Sequence, residues 1–113
     1  MERLINIDGK DVPFKATAAT IRRYRSDFRR DLLQDFITLK EAVNSNATLS
    51  AEHLTVFENL AYTMAKQADP NIPPTPDEWL DTFDMFSIYK VLPQIVELWG
   101  VSNASTAELK KKA

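Results

Sequence analysis

Ile21, Tyr24, Phe28, Leu32, Phe36, Leu39 and Val43 recur at steps of three and four, and no proline or glycine falls between residues 18 and 44. That spacing places all seven side chains on one face of a helix. An apolar stripe of this length must be laid against other apolar surface, so the chain is committed to a helical core. Thr17 is positioned to cap the helix N-terminus, and Asn44-Ser45-Asn46 ends it in a polar loop. The span is long for a globular helix, and a break near Ser26-Asp27 stays open. Only two glycines occur in the chain, which favours helices over a turn-rich β fold.

Two further helical stretches follow. Ser50 caps a segment from Ala51 to about Ala68, with Leu54, Phe57, Ala61, Met64 and Ala68 on one face, widened by Val56 and Leu60. Asp69-Pro70-Asn71-Ile72-Pro73-Pro74 is an extended connector, because each residue before a proline is pushed away from helical backbone. Thr75, Pro76 and Glu78 then form a helix start with a Thr-x-x-Glu capping box. The stretch 75–100 holds both tryptophans and is expected to anchor the core, since large aromatics bury the most apolar area. Its second half carries Met85, Ile88, Leu92, Ile95, Val96 and Trp99 on one face, and Gly100 stands where such a helix stops.

Before the first helix, Leu4 and Asn6 alternate with Ile5 and Ile7. Asp8-Gly9-Lys10 is a turn signal, and Asp11–Lys15 can return as a second strand. Pro13 cannot donate to a ladder, so this strand should lie at an edge. A lone hairpin is marginal in water and must pack on helices or pair with another copy, so self-association through its free edge is a further expectation.

The expected fold is therefore α+β and predominantly helical. Helices are predicted at about 18–44, 51–68, 76–83 and 85–99, with a short N-terminal β-hairpin. Residues 1–100 form one domain and residues 101–113 a flexible tail. The predicted core is Ile21, Tyr24, Phe28, Leu32, Phe36, Leu54, Phe57, Ala61, Met64, Trp79, Leu92, Ile95 and Trp99. Truncating Phe28 or Trp79 to alanine would cost roughly 3–5 kcal/mol at a fully buried position.

At 113 residues the chain is long enough for a core without metals or disulfides. It has no cysteine, which removes thiol nucleophiles and Cys-based metal sites and fits a reducing cytoplasm. Glu2, Arg3, Asp8, Lys10 and Asp11 interrupt any signal-peptide pattern, and no apolar run is long enough to span a bilayer. The net charge of -2 conceals an asymmetry. Residues 1–40 hold nine basic and six acidic side chains, while residues 41–100 hold two basic and nine acidic. Such a division marks a binding surface or two halves that attract each other.

The basic side chains concentrate in IRRYRSDFRRD. Arg22, Arg25 and Arg29 share one helix face, and Arg23, Asp27 and Arg30 another. A solvated face laced by Asp27 and Asp31, or a surface for a protein partner, is the preferred reading. Binding of nucleic acid is the alternative, but Tyr24 and Phe28 fall on the core stripe and are thereby withdrawn from stacking on bases. His53 is the only histidine, and no nucleophile or orienting acid is spaced to serve it. Asp77, Glu78, Asp81 and Asp84 lack the alternating oxygen ligands and glycine of a calcium loop, and charge at a helix N-terminus accounts for the first two. No catalytic, metal or cofactor site is predicted.

Several phrases, in order, resemble the tail assembly chaperone family of long-tailed phages and prophages of Gram-positive bacteria. They are Ile5-Asn6-Ile7-Asp8-Gly9-Lys10, Phe14-Lys15-Ala16-Thr17, Arg22-x-Tyr24-Arg25 with Arg30-Asp31, Ala61-Tyr62-x-Met64-Ala65-Lys66-Gln67-Ala68 and Glu78-Trp79-Leu80-Asp81. Together they cover about residues 4–100. The resemblance implies a small, mainly helical protein of the bacterial cytoplasm without catalysis. Such a protein binds the tape measure protein and keeps it soluble until tail tube protein polymerises round it. Many members are also made as a longer frameshifted product. Arg22, Arg25, Arg29 and Arg30 are the candidate partner-binding residues, beside exposed apolar side chains and the Pro70–Pro76 connector.

Overall fold

The computed structural model describes residues 1–45 and 48–98. A two-stranded antiparallel hairpin, β1 (Glu2–Ile7) and β2 (Lys10–Lys15), opens the chain. Asp8 and Gly9 both take positive φ, 56° and 77°, as a two-residue turn joining right-twisted strands requires. The register pairs Ile5 with Val12 and Leu4 with Pro13. Ile5, Ile7 and Phe14 are buried on the inner face, while Leu4 faces solvent. β2 lies along the third helix, which supplies the cover a lone hairpin needs.

The predicted 18–44 helix is two helices, α1 (Ala18–Phe28) and α2 (Leu32–Asn44). The break comes at Arg29–Asp31, just beyond Ser26-Asp27. Arg29 adopts the left-handed conformation, φ 55° and ψ 41°, and closes α1 through its N–H to the Arg25 carbonyl. Asp31 caps α2 by accepting from the Leu33 N–H. The stripe survives the break: Tyr24, Leu32, Phe36 and Leu39 are buried, and Ile21, Phe28 and Val43 pack half-buried against them.

α3 (Ala51–Ala68) has the predicted bounds and is the element the rest packs on, meeting β2, α1, α2 and the next helix. Every residue from Leu60 to Ala65 is buried, so its middle is enclosed on all sides rather than along one stripe. Thr63 satisfies its hydroxyl inside the helix by donating to the Asn59 carbonyl at 2.8 Å. Leu54, expected in the core, is only half-buried near the helix start.

The 75–100 stretch departs most from expectation. α4 (Pro76–Leu80) stops three residues early, with Thr82 donating its hydroxyl to the Trp79 carbonyl. The capping box is half-formed: Thr75 accepts from the Glu78 N–H. The 85–99 helix is α5 (Ser87–Lys90) followed, after Val91, by a helical run over 92–98, designated α6. Pro93 supplies the reason, since it has no N–H for a preceding carbonyl and its ring crowds the turn before it. Met85, placed by periodicity on the buried face, lies before α5 and is 74% exposed. Trp79 still belongs to the core, its ring against Phe83, Tyr62 and Phe14 at centroid distances of 5.1, 5.8 and 6.4 Å. Leu92 and Ile95 are buried as predicted. Trp99, Gly100 and the 101–113 tail lie outside the described residues.

Candidate partner-binding site

Where α1 turns into α2, the local chemistry begins with one carboxylate. Asp35, in the first turn of α2, accepts from Arg30 Nε and Nη2, both at 2.7 Å, and from the Tyr24 hydroxyl at 2.7 Å. Bidentate pairing of this kind is the strong form of the ion pair. It ties α1, the linking residues and α2 into one corner. The hydrogen bonds from Arg30, helped by Tyr24, hold the Asp35 carboxyl below the usual carboxylate range against the opposing effect of burial. Burial, and then Asp35, push the Tyr24 phenol up. A second, looser contact joins Arg30 to Glu52 at 3.6 Å across exposed side chains.

The four candidate arginines therefore do not behave as a group. Arg30 is engaged by Asp35. Arg22, Arg25 and Arg29 are exposed, and among the described residues the salt bridges both belong to Arg30. The expected lacing by Asp27 and Asp31 is thus not formed, and Asp31 is used as the α2 cap instead.

Arg25, Arg29 and Arg30 come together on a groove of about 590 Å³ whose other walls are Ile21, Asp31, Leu32 and Leu33. Leu33 is 47% exposed, and Ile37, one turn further along α2, is 45% exposed. Arg22 instead lines a separate depression with Arg23, Ser26 and Asp27. The connector lies elsewhere: Pro74 and Pro76 meet Arg23, Asp27, Phe28, Tyr62 and Lys66 in a third hollow. It is held to α3 by Lys66, which donates to the Pro70 and Ile72 carbonyls, and by the Tyr62 hydroxyl, which donates to the Pro73 carbonyl. Sequence reasoning found the arginines but not Leu33 and Ile37. Their signal was available, as an i, i+4 apolar pair lying off the stripe that fills the core.

The remaining polar candidates serve the fold. His53 completes a capping box, its Nδ1 accepting from the Ser50 N–H while its own N–H is donated to the Ser50 hydroxyl. Thr17, Thr20 and Gln67 close a hydrogen-bonded ring between the start of α1 and the end of α3. Asp8 accepts from the Asp84 N–H and the Ser87 hydroxyl, joining the hairpin turn to the start of α5, and these two donors lower its pKa. Tyr89 donates to Glu58 at 2.6 Å, and that bond, with burial, raises its phenol to about 12. Among the described residues no group of three or more acidic or histidine side chains gathers to hold a metal ion, and no helix is long and apolar enough to cross a membrane. Comparison with protein-family models, with curated proteins and with solved structures finds no match for this chain.

Proposed function

We propose that this protein is a tail assembly chaperone of a long-tailed phage or prophage, acting without catalysis in the cytoplasm of a bacterial host. It would bind the tape measure protein and keep it soluble until tail tube protein assembles around it. The observation that carries the reading is the groove at the α1–α2 corner. Three residues of the family resemblance, Arg25, Arg30 and Asp31, line it together with Ile21, Leu32 and Leu33. A chaperone of a helical client needs apolar surface to cover client surface and a charged rim to remain soluble. Both occur here side by side.

Co-expression with the candidate tape measure protein tests the proposal. Soluble tape measure protein that co-purifies with this chain is expected. A client equally soluble with and without it removes the reading.

One observation favours a second reading. Arg22, Arg23, Arg25 and Arg29 are exposed and, among the described residues, unpaired with carboxylates, as in a small regulator that binds nucleic acid. Against it, Tyr24 is fully buried and Phe28 half-buried, so neither ring is free to stack on a base. Retention on duplex DNA that falls steeply with salt would decide for the regulator.

A further inference from the structure

Resting on the chaperone reading, we infer that the α1–α2 groove takes an acidic amphipathic helix, with two apolar side chains one turn apart seated on Leu33 and Ile37 and flanking carboxylates on Arg25 and Arg29.

The occupant's chemistry follows from what lines the groove. Ile21 and Leu33 offer apolar surface over the buried Leu32, and Leu33 and Ile37 extend it along α2 as an i, i+4 pair. An apolar patch left outside a folded core gains free energy when a matching patch covers it. The rim selects the sign of charge. Among the described residues no carboxylate pairs with the exposed Arg25 and Arg29, whereas Arg30 is spent on Asp35 and the Asp31 carboxylate accepts from the Leu33 N–H. A partner bringing Asp or Glu to this rim gains charge-assisted hydrogen bonds, and one bringing Lys meets repulsion. The walls are α1, α2 and the three residues that join them, with no strand among them. A bound segment therefore finds no ladder to join and must satisfy its own N–H and C=O groups, which a helix does. The corner is also built in advance. The Arg30–Asp35–Tyr24 bonds fix the angle between the two walls, so little ordering cost remains at binding.

Two stapled helical peptides of about 18 residues, long enough to present several turns, provide the probe. One carries leucines at i and i+4 flanked by glutamates, and the other has lysine at each glutamate. Fluorescence anisotropy is read against the full chain and its variants, with circular dichroism and the thermal midpoint confirming each fold. The glutamate peptide should bind and the lysine peptide should not. Leu33→Asp should weaken binding by about tenfold or more, as loss of a central interface contact does, and Ile37→Asp serves the same purpose should the first variant not fold. The double variant Arg25→Glu/Arg29→Glu should lose the glutamate peptide and gain the lysine peptide. Met85→Asp, on the exposed segment before α5, should bind as the wild type does.

Equal binding of the two peptides, no binding of either, or indifference to both Leu33→Asp and Ile37→Asp would overturn the inference. So would a wild-type dimer in sedimentation that Leu33→Asp or Ile37→Asp dissolves, since a second copy would then own the groove. Duplex DNA displacing the glutamate peptide from the wild type would assign the rim to phosphate. The two levels of the reading fail separately. If Leu33→Asp still keeps the tape measure protein soluble, the groove assignment falls and the chaperone stands. If the wild type binds the glutamate peptide but leaves the tape measure protein insoluble, the chaperone falls and the groove's chemistry stands.

Discussion

Asp35 and Asp8 do the same task in different surroundings. Each carboxylate accepts hydrogen bonds from two other residues, and each has its pKa lowered by them. Asp35 is 7% exposed and meets a guanidinium, whereas Asp8 sits on an exposed turn and meets a backbone N–H and a hydroxyl. Water competes little for the first and freely for the second. A lowered pKa alone therefore says that the charged form is preferred in the fold; it does not say how much of the fold rests on it.

The largest effect that tests this contrast is Asp35→Asn. It leaves the Arg30 charge without its bidentate partner and removes the ionised acceptor of the Tyr24 hydroxyl. Loss of one partner from such a pair costs about 3 kcal/mol where the other partner can still reach water, as the half-exposed Arg30 can. Chemical denaturation would show a lower midpoint with an unchanged slope. A loss no greater than that of an exposed pair would put Asp35 on the same footing as Asp8.

The acid limb follows in size. A depressed carboxyl pKa contributes stability that is present above the unfolded value, here 3.8, and is lost as pH falls through the lower folded value. The wild type and Asp35→Asn should therefore differ by a constant amount above about pH 5 and converge in thermal midpoint only as pH falls below 3.8 and through the lower folded value. A gap that stays constant through that fall would show that the amide had broken packing rather than removed a charge.

Asp8→Asn should be felt locally. The hairpin, α3 and α5 keep their buried contacts, so the global midpoint should move less than with Asp35→Asn. Hydrogen exchange at the Asp84 amide should quicken, because its acceptor loses full charge. Unchanged exchange there would mean that the tie is passive. The smallest effect expected is at Arg29. Its left-handed backbone is uncomfortable for any side chain, and Arg29→Gly removes that strain while loosening the unfolded chain. A net gain of about 0.5 kcal/mol should result, with weaker capture of the glutamate peptide.

Much of this fold was readable in the residues. The hairpin turn, the bounds of α3 and the face carrying Tyr24, Leu32, Phe36 and Leu39 follow from Asp8-Gly9, from Ser50 and from period. The break at Arg29–Asp31 did not, because neither glycine nor proline marks it. It depends on Asp31 turning to cap α2 and on Arg30 leaving the helix to reach Asp35, both visible only in three dimensions. Nor could periodicity separate Trp79, fully enclosed among rings, from Phe28, which is half-covered; Phe28→Ala should cost less than the roughly 3–5 kcal/mol expected for Trp79→Ala. At the α1–α2 corner, composition pointed to the arginines. Which of them remain free could not be read, since that depends on where each nearby carboxylate is used.

The hairpin's dependence on α3 also imposes an order on synthesis. β1 and β2 leave the ribosome well before α3, and before Trp79 and Ser87, which complete their seat. The two strands can pair at once, since Asp8 and Gly9 make their turn locally, but Ile5, Ile7 and Phe14 then wait uncovered until α3 and the 79–87 segment are made. Strands made before α3 thus find their place only after it, and an exposed apolar face on a nascent strand pair is a point where neighbouring chains on one message can meet.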